Sequence, residues 1–171
     1  MPSFEETMLP HLPNAYNLAR WLLRNEHDAE DSVQEAYLRA YKAFGQFRGG
    51  DGRAWLLTIV RNVCYSRLRK KQTAEQHEVF DESLHGAADT PAETPDRLGG
   101  EIGAELLREA LALLPEKMRE MIVLHDLEGL AYREVAEVAG IPIGTVMSRL
   151  SRARERLHRE LVGLMTREAS S

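Results

Sequence analysis

Near its C-terminus the chain carries arginine and hydroxyl side chains at helical spacing. A continuous helix over residues 144–161 places on one face Thr145, Ser148, Arg149, Arg152 and Arg156. Arginine binds guanine edges and backbone phosphates through hydrogen bonds, and short hydroxyl groups can approach bases. This stripe is typical of a helix that enters the major groove of DNA, although a solvated basic face near a helix C-terminus has the same composition.

A shorter helix precedes this stripe and favours the DNA-binding interpretation. The apolar residues between Tyr132 and Ala139 recur at helical spacing. Gly140 can close that helix in the left-handed conformation, and Pro142 cannot continue it. Two helices joined by a short glycine-containing turn, the second rich in arginine, serine and threonine, form the helix-turn-helix pattern. We therefore predict a DNA-binding unit at this end of the chain.

Charge is distributed unevenly along the chain. The 171 residues carry a net charge of −5 at pH 7, which argues against indiscriminate binding of nucleic acid by the whole protein. Residues 45–71 nevertheless carry a net charge of +6, whereas residues 72–105 carry −8. Two basic elements, this segment and the arginine-rich helix, therefore flank an acidic connector.

Several classes of protein are disfavoured by what the sequence lacks. It has no apolar run long enough for a membrane span and no signal peptide, so we expect a cytoplasmic protein. The single cysteine, Cys64, excludes an intrachain disulfide and is expected in the core. The six histidines lack metal-ligand spacing, and no phosphate-binding loop, dinucleotide fingerprint or nucleophile motif occurs. We expect no enzyme, metal or cofactor, and we interpret His125 and Asp126 as a structurally satisfied pair.

The first half of the chain is predicted to form a bundle of three helices. The first covers residues 4–24 and is interrupted by Pro10 and Pro13, with a fresh start near Asn14. The second covers residues 28–44; Asp28 in its first turn complements the positive helix end, and its buried series includes Ala36, Ala40 and Tyr41. The third covers residues 53–71. Between these two lies a glycine-rich loop over residues 45–52. Its aromatic residue and its arginine suit an unstacked base of single-stranded nucleic acid.

The predicted fold is all-α, with two small helical domains at residues 1–71 and 101–168. Residues 72–100, which join them, are acidic and rich in glycine and proline, as expected of a flexible linker. Val79, Phe80 and Leu84 are apolar exceptions that could dock on a domain. In the second domain, residues 101–114 are helical, Pro115 suits the first position of the next helix, and the helix-turn-helix follows.

Three stretches make the chain resemble the extracytoplasmic-function (ECF) sigma factors, small sigma-70 family members that serve bacterial RNA polymerase. They are residues 28–37 (DAEDSVQEAY), residues 55–62 (WLLTIVRN), and residues 114–116 (LPE) followed by the helix-turn-helix with its GTV at residues 144–146. The resemblance covers residues 4–164. It implies an alternative sigma factor that binds core polymerase, directs promoter-specific initiation and is held inactive by a separate anti-sigma factor. Residues 1–71 would be sigma region 2, and residues 101–168 would be region 4.

The resemblance also assigns roles to individual residues. Residues 28–44 match the part of region 2 that docks on the polymerase beta-prime clamp helices, and its candidates are Asp31, Gln34, Glu35 and Arg39. The following loop and helix match the part that captures a flipped base and opens the minus-10 element, with candidates Phe47, Arg48, Arg61, Asn62, Arg67, Arg69 and Lys70. Region 4 reads the minus-35 duplex and touches the beta flap, with DNA-reading candidates Thr145, Met147, Ser148, Arg149, Ser151, Arg152 and Arg156.

Some residues depart from the family pattern. Met147 stands where many members carry arginine, and Ser151 where many carry an aromatic or basic residue, so the minus-35 preference does not transfer. Trp55 lies in a family motif, but we assign it to core packing. The alternative interpretation is a conventional helix-turn-helix regulator that binds DNA without polymerase. The second basic segment and the absence of a ligand-pocket signature argue against it.

Overall fold

The computed structural model describes residues 2–77 and 100–170, and every regular element in these two ranges is helical. The chain divides into two units, which are described separately. Unit 1 contains α1 (Phe4–Met8), α2 (Leu12–Leu23), α3 (Glu26–Ala43) and α4 (Gly52–His77). Unit 2 contains α5 (Gly100–Ala112), α6 (Glu116–Ile122), α7 (Tyr132–Ala139) and α8 (Ile143–Ser170). The predicted docking residues Val79, Phe80 and Leu84 lie outside the described residues.

Two prolines divide the N-terminal helix, as the sequence predicts. Pro10 lies in a 3₁₀ turn over Leu9–His11, and Pro13 lies in the first turn of α2. The N–H groups of a first turn have no partner within the helix, so the missing N–H of Pro13 costs no hydrogen bond. The fresh start comes at Leu12, two residues before the predicted Asn14. Arg24 then ends α2 in the left-handed conformation, with φ of 59°, and Asn25 caps α3.

The core of unit 1 forms where α2, α3 and α4 pack together. Its fully buried large side chains include Met8, Leu18, Leu22, Leu56, Leu57 and Val60. The Tyr37 hydroxyl of α3 donates a 2.8 Å hydrogen bond to the Met8 carbonyl, and burial raises the pKa of Tyr37 to about 12. Gly52 begins α4 against the same methionine, since a Cβ there would lie 2.9 Å from Met8 Cε. The end of α1 therefore positions the start of α4 and the loop before it.

Unit 2 places the helix-turn-helix on a platform made by α5, α6 and a π-helical turn over Val123–Leu127. Its core includes Leu111, Met121, Leu124, Leu130 and Leu150, which are almost completely buried. Pro115 is the N-cap of α6 rather than its first residue. The π-helical turn was not foreseen from the sequence. It ends before Gly129, whose φ of +74° requires glycine for a strain-free turn.

Candidate nucleic-acid interface

The helix-turn-helix forms as the sequence predicts. Gly140 adopts the left-handed conformation with φ of +67° and closes α7. The N–H groups of Gly140 and Ile141 both donate to the Ala136 carbonyl, at 2.9 and 3.1 Å. The Pro142 carbonyl then accepts from the N–H groups of Thr145 and Val146, so α8 starts immediately after the turn. Local hydrogen bonds thus define the angle between the two helices.

The seven predicted minus-35 residues fall into two groups on α8, whose opposite side buries Val146, Leu150 and Ala153. Three residues are half-buried along one flank of the helix, and Arg156 among them donates a 3.0 Å bond to Glu160. The other four are exposed and form what we call the crest of α8. The flank consists of Thr145, Arg149 and Arg156, and the crest of Met147, Ser148, Ser151 and Arg152.

A bidentate ion pair ties α8 to the segment before α7. Arg154 donates to both carboxylate oxygens of Asp126, at 2.5 Å from Nη2 and 3.1 Å from Nε, and these hydrogen bonds raise the pKa of Arg154. The neighbouring His125 bonds the Leu130 carbonyl at 2.7 Å through Nδ1, which must carry the proton because a carbonyl only accepts. Its ring stacks on Tyr132 at 4.5 Å. His125 and Asp126 are thus each satisfied by structural partners.

The loop before α4 holds an aromatic cluster and a small cavity. The Phe47 ring stacks on Phe44 at 5.8 Å and contacts Trp55 at 5.2 Å between centroids. Trp55, assigned to core packing, is only half-buried. Gly49 and Gly50 have φ of +92° and +82°, conformations that favour glycine. They help to enclose a cavity of about 230 Å³ lined by Pro2, Thr7, Phe44, Gly45, Phe47, Gly49 and Gly50. Phe47 is therefore a wall of this cavity.

All but one of the predicted minus-10 cations lie on α4, and each is at least partly exposed. The Arg61 guanidinium lies 4.4 Å from the centroid of the Tyr65 ring, and Arg69 donates a 3.3 Å bond to the Ser66 hydroxyl. Arg48 in the preceding loop is exposed, as are Asn62 and Lys70. These residues form a basic surface that follows the helix toward its C-terminal end.

Arg67 differs from the other predicted minus-10 residues because an acid of α3 holds it. Its Nη1 lies 3.4 Å from Oδ1 of Asp28, whose other oxygen lies 3.5 Å from Lys71 Nζ. From the sequence, Asp28 is expected only to complement the positive N-terminal end of α3. Its partners lie 39 and 43 positions along the chain, so no local pattern could reveal them.

The predicted polymerase-binding residues share one exposed side of α3. Gln34, Glu35 and Arg39 are exposed, Asp31 is half-buried, and Glu35 pairs with Arg39 at 2.9 Å. Among them stands Leu38, which is 64% exposed. We call these five residues the α3 face. Sequence reasoning missed Leu38, although an apolar side chain outside the buried helical series was a usable signal.

Tyr41 corrects the predicted buried side of α3. The helical series placed it with Ala36 and Ala40, which are fully buried. Tyr41 is instead 63% exposed and meets the Phe4 ring edge-on at 5.3 Å. The large ring lies at the margin of the core, where one edge packs and the rest faces solvent.

Family comparisons identify the type of protein that carries these surfaces. Models of sigma-70 region 2 and sigma-70 region 4 match residues 8–74 and 104–157. The RNA polymerase sigma-H factor of Pseudomonas aeruginosa is 34% identical over 178 residues, covering 98% of this chain and 90% of its own. The ECF RNA polymerase sigma factor SigM of Mycobacterium tuberculosis is 33% identical over 166 residues, covering 96% and 80%. The chain belongs to the ECF group of the sigma-70 family.

Further relatives of this ECF factor differ in length and in their solved assemblies. The ECF sigma factor SigE of Mycolicibacterium smegmatis is 33% identical, and the chain spans only 61% of its length. The sigma factor RpoE of Bartonella quintana, solved with the anti-sigma factor NepR, shares 33% identity at a TM-score of 0.77, covering 92% of this chain and 96% of its own. CnrH, solved with the cytosolic domain of CnrY, shares 25% identity at a TM-score of 0.64, covering 94% and 88%.

In this ECF factor the two family matches divide the candidate residues in the same way as the two units. The region 2 match includes the α3 face, the cavity loop and the basic side of α4, and the region 4 match includes the whole crest of α8. Across residues 2–77 and 100–170, no helix is long and apolar enough to cross a membrane. Within the same ranges, no three His, Cys, Asp or Glu side chains are grouped to hold a metal ion.

The lone cysteine of the ECF factor is buried, which leads to a chemical prediction. Burial raises the pKa of the Cys64 thiol to about 12. Because the thiolate is the reactive form, we expect native Cys64 to react with iodoacetamide at about pH 8 at least ~100-fold more slowly than in the unfolded chain. Mass spectrometry of timed samples measures both rates. A Cys64→Ala protein with Asn62→Cys, at an exposed position of the same helix, should react quickly when native. Equal rates for native and unfolded Cys64 would contradict its burial.

Proposed function

We propose that this protein is an alternative sigma factor that binds core RNA polymerase and directs initiation at specific promoters. Residues 1–71 act as region 2, residues 72–100 as a linker whose first six residues continue α4, and residues 101–168 as region 4. The observation that supports this most is the presence, in one chain, of two different surfaces whose side chains suit DNA. A helix-turn-helix suits duplex DNA, whereas a basic helix beside an aromatic loop suits an opened strand.

The crest of α8 reads the minus-35 element as duplex. Its four side chains lie within two turns at the start of the helix, the part that contacts base edges in helix-turn-helix proteins. Arg152 can bind a guanine edge, Ser148 and Ser151 can bond several bases, and Met147 can contact a thymine methyl group. The half-buried Arg149 and Arg156 lie to one side, where they meet the phosphate backbone.

The loop and α4 hold the opened minus-10 strand. The cavity beside Phe47 accepts an unstacked base against an aromatic wall, and the exposed Arg48 lies next to it in the chain. The cations along α4 bind the phosphates of the same strand, and the neutral Asn62 lies between them on the helix. Arg61 is held over Tyr65, which presents its charge in a fixed direction. This arrangement suits capture of a base that has left the duplex.

The α3 face binds core polymerase at the beta-prime clamp helices. An exposed leucine surrounded by Gln34, Glu35 and Arg39 resembles the arrangement in which a central apolar anchor carries binding energy and a polar rim excludes water. Region 4 adds a second contact, with the beta flap.

The protein itself performs no catalytic step and needs no cofactor. It acts in the cytoplasm, where polymerase meets the chromosome.

A separate anti-sigma factor holds the protein inactive until it is needed. This proposal extends to the present chain what is seen in the Bartonella quintana relative, which was solved with its anti-sigma factor NepR. The 96% coverage of that relative leaves little of its fold unmatched. Such a partner would compete for the surfaces that bind polymerase or DNA.

Run-off transcription tests the proposed function. Purified bacterial core polymerase transcribes a fragment library of the source genome with and without this protein. Transcripts that start only in its presence establish the sigma activity and reveal both promoter elements. Binding to duplex DNA by the protein alone, without any gain in initiation, would instead identify a conventional regulator.

A further inference from the structure

One carboxylate of α3 lies between two cations at the C-terminal part of α4. Arg67 and Lys71 are one helical turn apart on α4, and each faces a different oxygen of Asp28, at 3.4 and 3.5 Å. Nearby on the same helix are Arg69 and Lys70, which are exposed. Asp28 therefore neutralises part of the positive charge at this end of α4, where four cations occur within five residues; we call these four residues the α4 basic edge.

The contacts of Asp28 are loose enough to be exchanged. Both distances are longer than those of strong charge-assisted hydrogen bonds, which measure about 2.7–2.9 Å. The side chains of Asp28, Arg67 and Lys71 are 23%, 34% and 52% exposed, so solvent and solutes reach them. Ion pairs with this exposure add little to stability. The bidentate pair of Asp126 and Arg154, at 2.5 and 3.1 Å, is by comparison closely fitted.

Helix formation does not by itself require an acid at position 28. The Asn25 side chain caps α3 by accepting a 2.9 Å hydrogen bond from the Asp28 N–H, a bond that any residue except proline can donate from position 28. Glu26 places a second negative charge in the same first turn. What is particular to Asp28 is the position of its two oxygens against α4.

We propose that Asp28 holds the place of a DNA phosphate between Arg67 and Lys71 and so limits binding to DNA outside promoters. A backbone phosphate offers two anionic oxygens, as the carboxylate does, and can replace it between the same two cations. This inference rests on the proposed function of α4. In promoter complexes other contacts hold the strand against the α4 basic edge, and the exchange follows. On unrelated DNA those contacts are missing, and Asp28 keeps two of the four cations occupied.

The alternative is that Asp28 only joins α3 to α4. In that case its removal lowers stability without changing DNA binding beyond the effect of one lost charge. Glu30 provides the matched control, because it is exposed on the same helix and Glu30→Gln removes the same charge. A difference between Asp28→Asn and Glu30→Gln in DNA binding therefore reports the position of the carboxylate and not the net charge of the protein.

The test measures binding of the full chain to a labelled single-stranded oligonucleotide of unrelated sequence by fluorescence anisotropy, over a series of salt concentrations. We expect Asp28→Asn to bind at least ~5-fold more tightly at low salt. The slope of the logarithm of the association constant against the logarithm of the salt concentration should steepen by about 1.4, because two cations are freed and each new phosphate contact adds about 0.7. Glu30→Gln should stay within twofold of wild type. Equal affinity and slope for the two variants would overturn the proposal, whatever their melting temperatures.

A second variant keeps the test informative if Asp28→Asn is less stable. Adding Lys71→Gln to Asp28→Asn should abolish most of the affinity for the oligonucleotide that Asp28→Asn gained. In the wild-type chain Lys71→Gln should change the affinity less than twofold, because Asp28 already occupies that lysine. The same loss in both backgrounds would contradict the proposal. Run-off transcription with the wild-type protein separates this result from the proposed function, because transcription can fail while the comparison of oligonucleotide binding still stands.

Discussion

Arg152→Ala weakens binding of the polymerase complex to promoter duplex by about 1–3 kcal/mol, on the order of 5- to 150-fold, if the arginine reads a base edge. Arg152 is exposed on the crest of α8, and among the described residues its guanidinium has no hydrogen-bond or ion-pair partner. All of its donors are therefore open to DNA. Alanine is the best helix former, so the substitution preserves α8.

The measurement compares a duplex carrying the minus-35 element, as found by run-off transcription, with a scrambled duplex. Arg159→Ala is the matched control, since Arg159 is exposed two turns further along α8 and beyond the region 4 match. It should change promoter affinity less than twofold. Equal weakening of Arg152→Ala on both duplexes, with a salt slope reduced by about 0.9, would identify a phosphate contact instead of base reading.

Leu38→Asp lowers the affinity for core polymerase by about 2 kcal/mol or more, at least ~30-fold, because hot-spot residues at the centre of an interface have effects of this size. In the free protein the side chain is 64% exposed, so aspartate there meets water and the fold is kept. In the complex the same carboxylate would be buried without a partner, which is costly. The effect should therefore appear in binding and not in thermal stability.

Competition with a labelled sigma factor for core polymerase measures this effect. Leu12→Asp is the control, because Leu12 is also exposed in unit 1 but begins α2, away from the α3 face. It should compete like wild type. The combination of Gln34→Ala with Glu35→Lys should weaken binding as well, since it alters the polar rim around Leu38. Wild-type affinity for Leu38→Asp would exclude the α3 face from the polymerase interface.

The helices and the family were predictable because the signals that carry them are local. The period of apolar residues defines α7 and α8, and Gly140 and Pro142 mark the turn through conformations that depend on a few neighbouring bonds. The motifs of α3 and α4 likewise lie within single helices. The all-α fold and the sigma-70 family could therefore be predicted before any contact between helices was known.

The aromatic residues show where local signals end. Periodicity placed Tyr41 in the core and Trp55 in core packing, yet the first is exposed and the second is half-buried against Phe47. A helical pattern identifies the apolar side of a helix but not how far its neighbours extend over that side. The cavity in the loop before α4 is also a product of packing, since residues near both ends of a 49-residue span line it.

The sequence alone determined which helices form, which of them carry basic side chains, and the family that combines them. Only the tertiary structure decided which cations are held by acids and which are open to DNA. Arg154 is bonded by Asp126, 28 positions before it, and Arg67 lies against Asp28, 39 positions before it. Such pairs depend on how helices cross, because the side-chain ends must come within a few ångströms across a gap that sequence spacing does not specify. For that reason the arginines that look equivalent in the sequence differ in what they can bind.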